Sequence, residues 1–311
     1  MVGVIISNAK VNYYSPSHRY IELNVSLDRL ISYEEIQKRA VPQNQEWIRE
    51  QQEKAANKEP YDIASWKESL NGYGVGIIPY WNDKFLMGGK LKSAHEIKLT
   101  SIIGNPDNYS ELVNPLFGAM REFCEEVSFR DGKELCLPSF SGAKDLALNI
   151  DEGGLYFDCL ETYVKRFPLY KKWGLVDDIV SEKLSYQLDL ESSPVNFDTV
   201  IIHDKTNNKT TFSRGFFYWD PNSSRVNILY PLRIESSTLP FSSENKFGTE
   251  EIDETSCLVE VDKETLFNLH QPIIKSFRAY TSHGWTVSML KTIPGGFNRA
   301  MKDYKVLSRS L

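Results

Sequence analysis

The nine residues Arg121-Glu122-Phe123-Cys124-Glu125-Glu126-Val127-Ser128-Phe129 crowd three carboxylates and one guanidinium into a short segment, about two turns if helical. At about 100° per residue, Glu122, Glu125 and Glu126 share one sector of a helix, and Arg121 lies one turn before Glu125. Three like charges on one face repel, so a fold that keeps them together normally supplies cations. Clustered hard oxygen ligands suit Mg²⁺ or Mn²⁺ holding a substrate's phosphates. The other face carries Leu116, Met120, Phe123 and Val127 at i, i+4, i+7 and i+11, a stripe that can be buried. Asn114 is a good N-cap and Pro115 suits the first helical position, so the spacing predicts a helix over 115–128. An amphipathic helix with a merely solvated acidic face is the plainer alternative.

These residues resemble the Nudix hydrolases, whose signature is G-x5-E-x7-R-E-U-x-E-E-x-G-U with U a bulky apolar residue. Arg121, Glu122, Phe123, Glu125, Glu126 and Phe129 match it, and Asn114-Pro115 stands where many members carry Ser-Pro. In strict register the first glycine is Asp107, the first glutamate is Val113 and the last glycine is Ser128. Gly104 and Glu111 fill the early roles if the loop has gained residues. The resemblance implies an α+β fold: an α/β/α sandwich built on a mixed β-sheet that carries the catalytic helix 115–128.

The flanks follow the order that the family would have. Two apolar runs, 74–81 and 84–90, joined by Asn82-Asp83, read as an antiparallel hairpin. Far downstream, Gly248-Thr249-Glu250-Glu251-Ile252-Asp253-Glu254, followed by Cys257-Leu258-Val259-Glu260-Val261, looks like an acidic loop leading into a late strand. Strands are also expected at Val195–His203, Thr210–Trp219 and Val226–Ile234. An insertion at about 132–193 reads as mixed, strand-like at Leu155–Leu160 and helix-like at Thr162–Tyr170 and Asp177–Leu188. Residues 1–72 read as an N-terminal α+β extension, with β-like Lys10–Tyr14 and Tyr20–Val25 and a helical run from Tyr33 to Asn57. That run is either a lid or dimerisation arm, which admits a homodimer, or a helix covering the core. The Nudix-like unit then spans 73–265, and 266–311 reads as a C-terminal helical segment through His270–Tyr280 and Met289–Leu307.

A chain of 311 residues, 41% hydrophobic and 25% charged, has ordinary globular usage. Its net charge of -6 and pI near 5.5 disfavour extended nucleic-acid binding and leave a small phosphorylated nucleotide as the expected partner. No segment is apolar enough to span a membrane and no basic-then-apolar leader opens the chain, so a cytoplasmic setting is the expectation. Cys124, Cys136, Cys159 and Cys257 form no C-x-x-C pair and read as reduced, mostly buried thiols. Lys90, Lys92 and Lys98 could meet phosphates or simply protect strand edges. Tyr156, Phe216, Tyr218 and Trp219 could stack a base or pack in a core.

The resemblance implies a metal-dependent pyrophosphohydrolase that cleaves a diphosphate bond in a nucleoside diphosphate linked to another moiety, such as a nucleotide sugar or dinucleotide. Glu122, Glu125 and Glu126 would hold Mg²⁺ or Mn²⁺, and Arg121 would keep the carboxylates in register. Glu250 and Glu251 are the candidate general bases, with Glu111 behind them. Two alternatives stay open: a catalytically weak Nudix-like module that senses or binds a nucleotide, and a pyrophosphohydrolase acting on an RNA cap or 5′ end.

Overall fold

A computed structural model of the chain describes residues 2–15, 18–32, 73–81, 84–143, 151–188, 198–220, 225–235, 238–242, 257–281, 284–295 and Asn298. The described residues form a mixed α/β fold made mostly of strands, with few helices and a small five-stranded mixed β-barrel. The strands are β1 Val2–Ser15, β2 His18–Ser32, β3 Tyr73–Trp81, β4 Lys84–Ser93, β5 Glu96–Thr100, β6 Ile102–Gly104, β7 Val127–Asp131 and β8 Glu134–Ser141. They continue as β9 Asp178–Gln187, β10 Asp198–Asp204, β11 Lys209–Asp220, β12 Arg225–Glu235, β13 Leu239–Ser242, β14 Cys257–Asp262, β15 Ile274–Thr281 and β16 Gly284–Thr292. The helices are α1 Tyr109–Val113, α2 Pro115–Glu126, α3 Glu152–Lys172 and α4 Lys263–Asn268.

Strand β3 is the hub. It pairs in parallel with β12 and antiparallel with β6, and at its far end it turns back into β4. Every residue from Gly74 to Tyr80 is buried, the continuous pattern expected of a strand covered on both faces. From β12 the sheet extends through β11 and β10 to β2 and β1, and on another branch through β9, β8 and β7 to β13. From β4 it closes on itself: β4 pairs with β14, β14 with β15, β15 with β16, β16 with β5, and β5 returns to β4.

The period-2 alternation of β4 and β14 ties two cores together. Phe85 and Met87 of β4 and Cys257, Val259 and Val261 of β14 pack with Ile97, Leu99, Phe277 and Leu290 in the barrel-side core. Leu86 and Leu258, on the opposite faces of the same strands, belong to a larger core. That larger core also holds Leu116, Ala119, Met120, Phe123 and Cys124 of α2, Val75 and Ile77 of β3, and Leu155, Cys159 and Tyr163 of α3. Helix α2 thus lies with β3 on one side and α3 over it.

The elements forecast at 74–90, 195–203, 210–219, 226–234 and 257–261 correspond to β3, β4, β10, β11, β12 and β14. Four expectations need correction. The site helix stops at Glu126 rather than 128, because Val127 takes extended angles (φ -128°, ψ 132°) and opens β7, which pairs with β13. Leu155–Leu160 is not a strand; it lies in α3, whose N-cap Asp151 accepts a hydrogen bond from the Gly153 N–H. Asp177–Leu188 is not helical: Leu184, Tyr186 and Leu188 alternate into the core while β9 pairs in parallel with β8. The helical tail is likewise absent through Thr292, where β15 and β16 form an antiparallel hairpin that reverses at Gly284, with φ 120°. The Tyr33–Asn57 run lies outside the described residues. No described helix is long and apolar enough to cross a membrane.

The crossing of β6 on β3 depends on one missing side chain. A Cβ built on Gly76 would lie 2.2 Å from the Ile102 carbonyl oxygen and 2.9 Å from the Ile103 Cα, backbone atoms that cannot step aside. Gly76→Ala is expected to destabilise the protein by about 2 kcal/mol or more in urea unfolding, whereas the same change at Gly132, which has nothing within 4 Å but a φ of +58°, should cost only about 1 kcal/mol.

Candidate active site

The site is assembled where β6 ends, the chain loops over α1, and α2 begins. Asn108 caps α1: its Oδ1 accepts from the Glu111 N–H at 3.0 Å, while its Nδ2 donates back to Glu111 Oε1 at 3.1 Å. The Glu111 carboxylate also accepts from the Asp107 N–H at 2.7 Å. The arrangement is a variant of the capping box, in which the carboxylate three residues after the cap accepts from the cap's side chain and from the preceding residue's backbone N–H. It aims a buried acid away from solvent and towards α2.

Arg121 meets it there. Its Nε donates to Glu111 Oε1 at 2.9 Å and its Nη2 to Glu111 Oε2 at 3.1 Å, the two-pronged geometry that a guanidinium offers a carboxylate. The same Nη2 reaches the Asn105 carbonyl at 2.7 Å and Glu122 Oε1 at 3.0 Å, and Nη1 donates to Glu125 Oε2 at 3.0 Å. Asp107 stands 3.6 Å from Nη1. Burial alone would make this guanidinium easier to deprotonate, but the Glu111 hydrogen bonds and the charges of Glu122, Glu111 and Glu125 raise its pKa above the ordinary value.

Glu122 is the most perturbed of the acids. Its side chain is 13% exposed and its Oε1 accepts from the Asn105 N–H at 3.2 Å. A Cβ on Gly104 would fall 1.8–2.2 Å from the Glu122 carboxylate, so any larger residue there would have to displace that carboxylate from its present position. Burial pushes the Glu122 carboxyl up to about 7, with the Arg121 charge opposing and the Glu125 charge reinforcing that rise. Glu125 and Glu126 are half-buried on the same helix.

Arg121, Glu122 and Glu125 are therefore brought together as the sequence implied, with Glu126 next along α2. In the loop before α2, Glu111 holds Arg121 and Gly104 lies against Glu122, whereas Val113 is a half-buried residue at the end of α1. Ser128 lies inside β7 and needs no glycine; its Oγ is 2.9 Å from the Tyr170 hydroxyl of α3. Glu250 and Glu251, with the rest of the 248–254 loop, lie outside the described residues.

Sequence reasoning missed several supports. Tyr163 of α3 donates its hydroxyl to the Val127 carbonyl at 3.3 Å, bracing the end of α2. Tyr109 of α1 donates to Asp204 Oδ2 at 2.6 Å, anchoring the loop to β10. Asp158 of α3 has its pKa raised, first by burial and then by the charges of Glu111 and Glu161, so α3 adds an acid near the cluster. Only long-range contacts carry these links, and no local pattern encodes them. Lys90, Lys92 and Lys98 lie on β4 and β5 of the barrel, and Phe216 is buried in the barrel-side core. Tyr156 is half-buried with its ring 5.8 Å from that of Phe157, and the Tyr218 and Trp219 side chains lie outside the described set. All four cysteines are buried free thiols.

Among the described residues, no three His, Cys, Asp or Glu side chains form a ready-made metal cage. The donor set nonetheless fits Mg²⁺, which is commonly held by one or two carboxylates and completed by water and substrate oxygens. A buried carboxyl whose pKa is raised by desolvation is also a place where an added cation relieves a penalty.

The different surroundings of Glu111 and Val113 set different mutational costs. Glu111→Gln leaves a mostly buried guanidinium without its two-pronged partner and should cost about 3 kcal/mol in denaturant unfolding, while Val113→Ala should stay within about 1 kcal/mol. Comparison with models of protein families, with curated proteins and with solved structures finds nothing that matches this chain.

Proposed function

We propose that the protein is a metal-dependent pyrophosphohydrolase of Nudix type. Its substrate would be a nucleoside diphosphate linked to a second moiety, and its α2, flanked by β3 and α3, would be the catalytic helix of an α/β/α sandwich. The observation that carries this reading is the grip of Arg121 on Glu111, Glu122, Glu125 and the Asn105 carbonyl, which fixes an acidic helix face beneath a glycine-bearing loop. A merely solvated acidic face would not need a buried guanidinium to hold it.

Glu125 and Glu126, with Glu122, would hold Mg²⁺ or Mn²⁺. The bound cation would offset the charge of the diphosphate and polarise it towards attack. Water then adds to one phosphorus in line with the departing phosphate oxygen. One P–O bond forms and the bridging P–O bond breaks, giving a nucleoside monophosphate and a phosphorylated remainder. The proton lost by the water needs an acceptor; Glu122 would either share in holding the cation or orient that water from its place beside Arg121. Glu250 and Glu251 remain the candidate general bases in this reading. Arg121 touches no reacting atom and is a positioning residue.

Two measurements test the assignment. Phosphate release should be followed on a panel of nucleotide sugars, dinucleotides, nucleoside triphosphates and capped RNA, with and without Mg²⁺. Turnover is expected with a diphosphate-linked nucleotide, and Glu125→Gln should lower kcat/KM by roughly 10²–10³-fold. Full activity in that variant would remove the site assignment. A ligand that raises the melting temperature without turning over would favour the nucleotide-binding alternative. The second measurement uses pH. With its folded pKa raised to about 7 from 4.5, Glu122 favours the folded state at low pH, and that contribution is lost as pH rises from about 4.5 through 7. The stabilisation given by Mg²⁺ in thermal unfolding should therefore be larger at pH 8 than at pH 5.5, and Glu122→Gln should flatten the difference.

A further inference from the structure

Strands β14 and β15 pair only from Leu258 and Tyr280 to Glu260 and Arg278. Beyond that point β14 runs on to Asp262 and into α4, while β15 starts further back at Ile274. The pairing therefore ends before either strand does, and a cleft of about 350 Å³ opens there, at the small end of the range for ligand pockets. It is lined by Lys84 of β4, Glu260 and Asp262 of β14, Lys275 and Arg278 of β15, and Val287 of β16. None of these residues takes part in the Arg121 cluster.

Three cations thus share the cleft with two carboxylates, and both carboxylates are already engaged. Asp262 accepts from the Thr265 N–H at 2.7 Å and from Lys275 Nζ at 2.5 Å. Burial would raise its carboxyl, but the Lys275 and Thr265 hydrogen bonds bring it down to about 2, so it stays ionised. Glu260 accepts from the Tyr280 hydroxyl at 2.5 Å and faces the Arg278 Nε at 3.8 Å. Donors are in surplus. Among the described residues Lys84, exposed on β4, has no acidic partner. The five N–H groups of Arg278 outnumber what Glu260, beyond hydrogen-bond range, and the Tyr280 hydroxyl can accept. Beside these donors Val287 is apolar and 56% exposed.

We propose that this cleft binds a small organic monocarboxylate, with the carboxylate held by Lys84 and Arg278 and an apolar body laid on Val287. Charge selects the head group. One negative charge offsets the surplus of one cation, whereas a phosphate monoester carries about 1.5–2 negative charges at neutral pH and is pushed back by Glu260 and Asp262. The guanidinium fork suits a planar carboxylate, and the ammonium adds charge without constraining its orientation. The body follows from Val287: each methylene that covers it leaves water, so affinity rises with apolar length.

Ligand-observed NMR titration of the full chain, at fixed ionic strength and without Mg²⁺, reads the cleft with acetate, hexanoate and inorganic phosphate as probes. Hexanoate is expected to saturate a single site and to bind at least about fivefold more tightly than acetate. Lys84→Gln should weaken hexanoate roughly tenfold with an unchanged melting temperature, because the Lys84 side chain supports no described contact. Val287→Ser should erase the advantage of hexanoate over acetate. The proposal falls if hexanoate shows no saturable binding up to about 10 mM, or if Lys84→Gln binds it as the wild type does. It falls equally if acetate and hexanoate bind alike, or if inorganic phosphate competes for the Lys84-dependent site with higher affinity than hexanoate.

Discussion

The guanidinium of Arg121 is the interaction on which the site depends. Its donors meet the Glu111 carboxylate, Glu122, Glu125 and the Asn105 carbonyl, so one side chain joins α1, α2 and the end of β6. A lysine could neutralise the charge but not span these acceptors, because its ammonium is a point charge and the guanidinium is a planar fork. The helix supplies three acids at positions that repel; the buried cation makes that spacing tolerable and leaves Glu122 only partly compensated. Burial still pushes the Glu122 carboxyl up to about 7.

The residues that deliver Glu111 are not slack. They are wound into α1, which Asn108 caps and Tyr109 anchors to Asp204 at 2.6 Å. Asp204 in turn accepts from the Thr206 and Asn207 backbone N–H groups and from Asn207 Nδ2, forming the turn after β10. Burial would raise the Asp204 pKa, yet these bonds hold it below the ordinary carboxylate value. A turn some hundred residues downstream thus fixes the loop that presents Glu111 to Arg121.

How much of this was legible depended on whether the signal was local. The amphipathic stripe Leu116-Met120-Phe123-Val127 and the Pro115 start announced α2, and Glu122 and Glu125 fell where that helix put them. Its end is not legible locally because Val127 and Phe129 fit either a helical stripe or a strand, and pairing with β13, more than a hundred residues away, selects the strand. The same ambiguity turned 177–188 from an expected helix into β9 and 270–280 into part of β15, where buried neighbours enforced a period of two. Leu155–Leu160 went the other way: Leu155 and Cys159 sit one turn apart and both enter the core beneath α3.

Closure of the barrel explains why the late strands resist prediction and why, among the described residues, most of one β16 edge is unpaired. Strand β16 meets β5 only through Lys291 and Thr292, since β5 spans just Glu96–Thr100 and is already paired with β4. A five-residue strand cannot cover a nine-residue partner that enters at a stagger. Barrels require such a stagger, because strands tilt relative to the axis and the register must shift around the circumference. The free length of β16 is therefore a geometric consequence of closing the sheet with a short strand. Its apolar outward face is not: Trp285, Val287 and Met289 are more than half exposed on a segment that geometry alone would leave free to be polar.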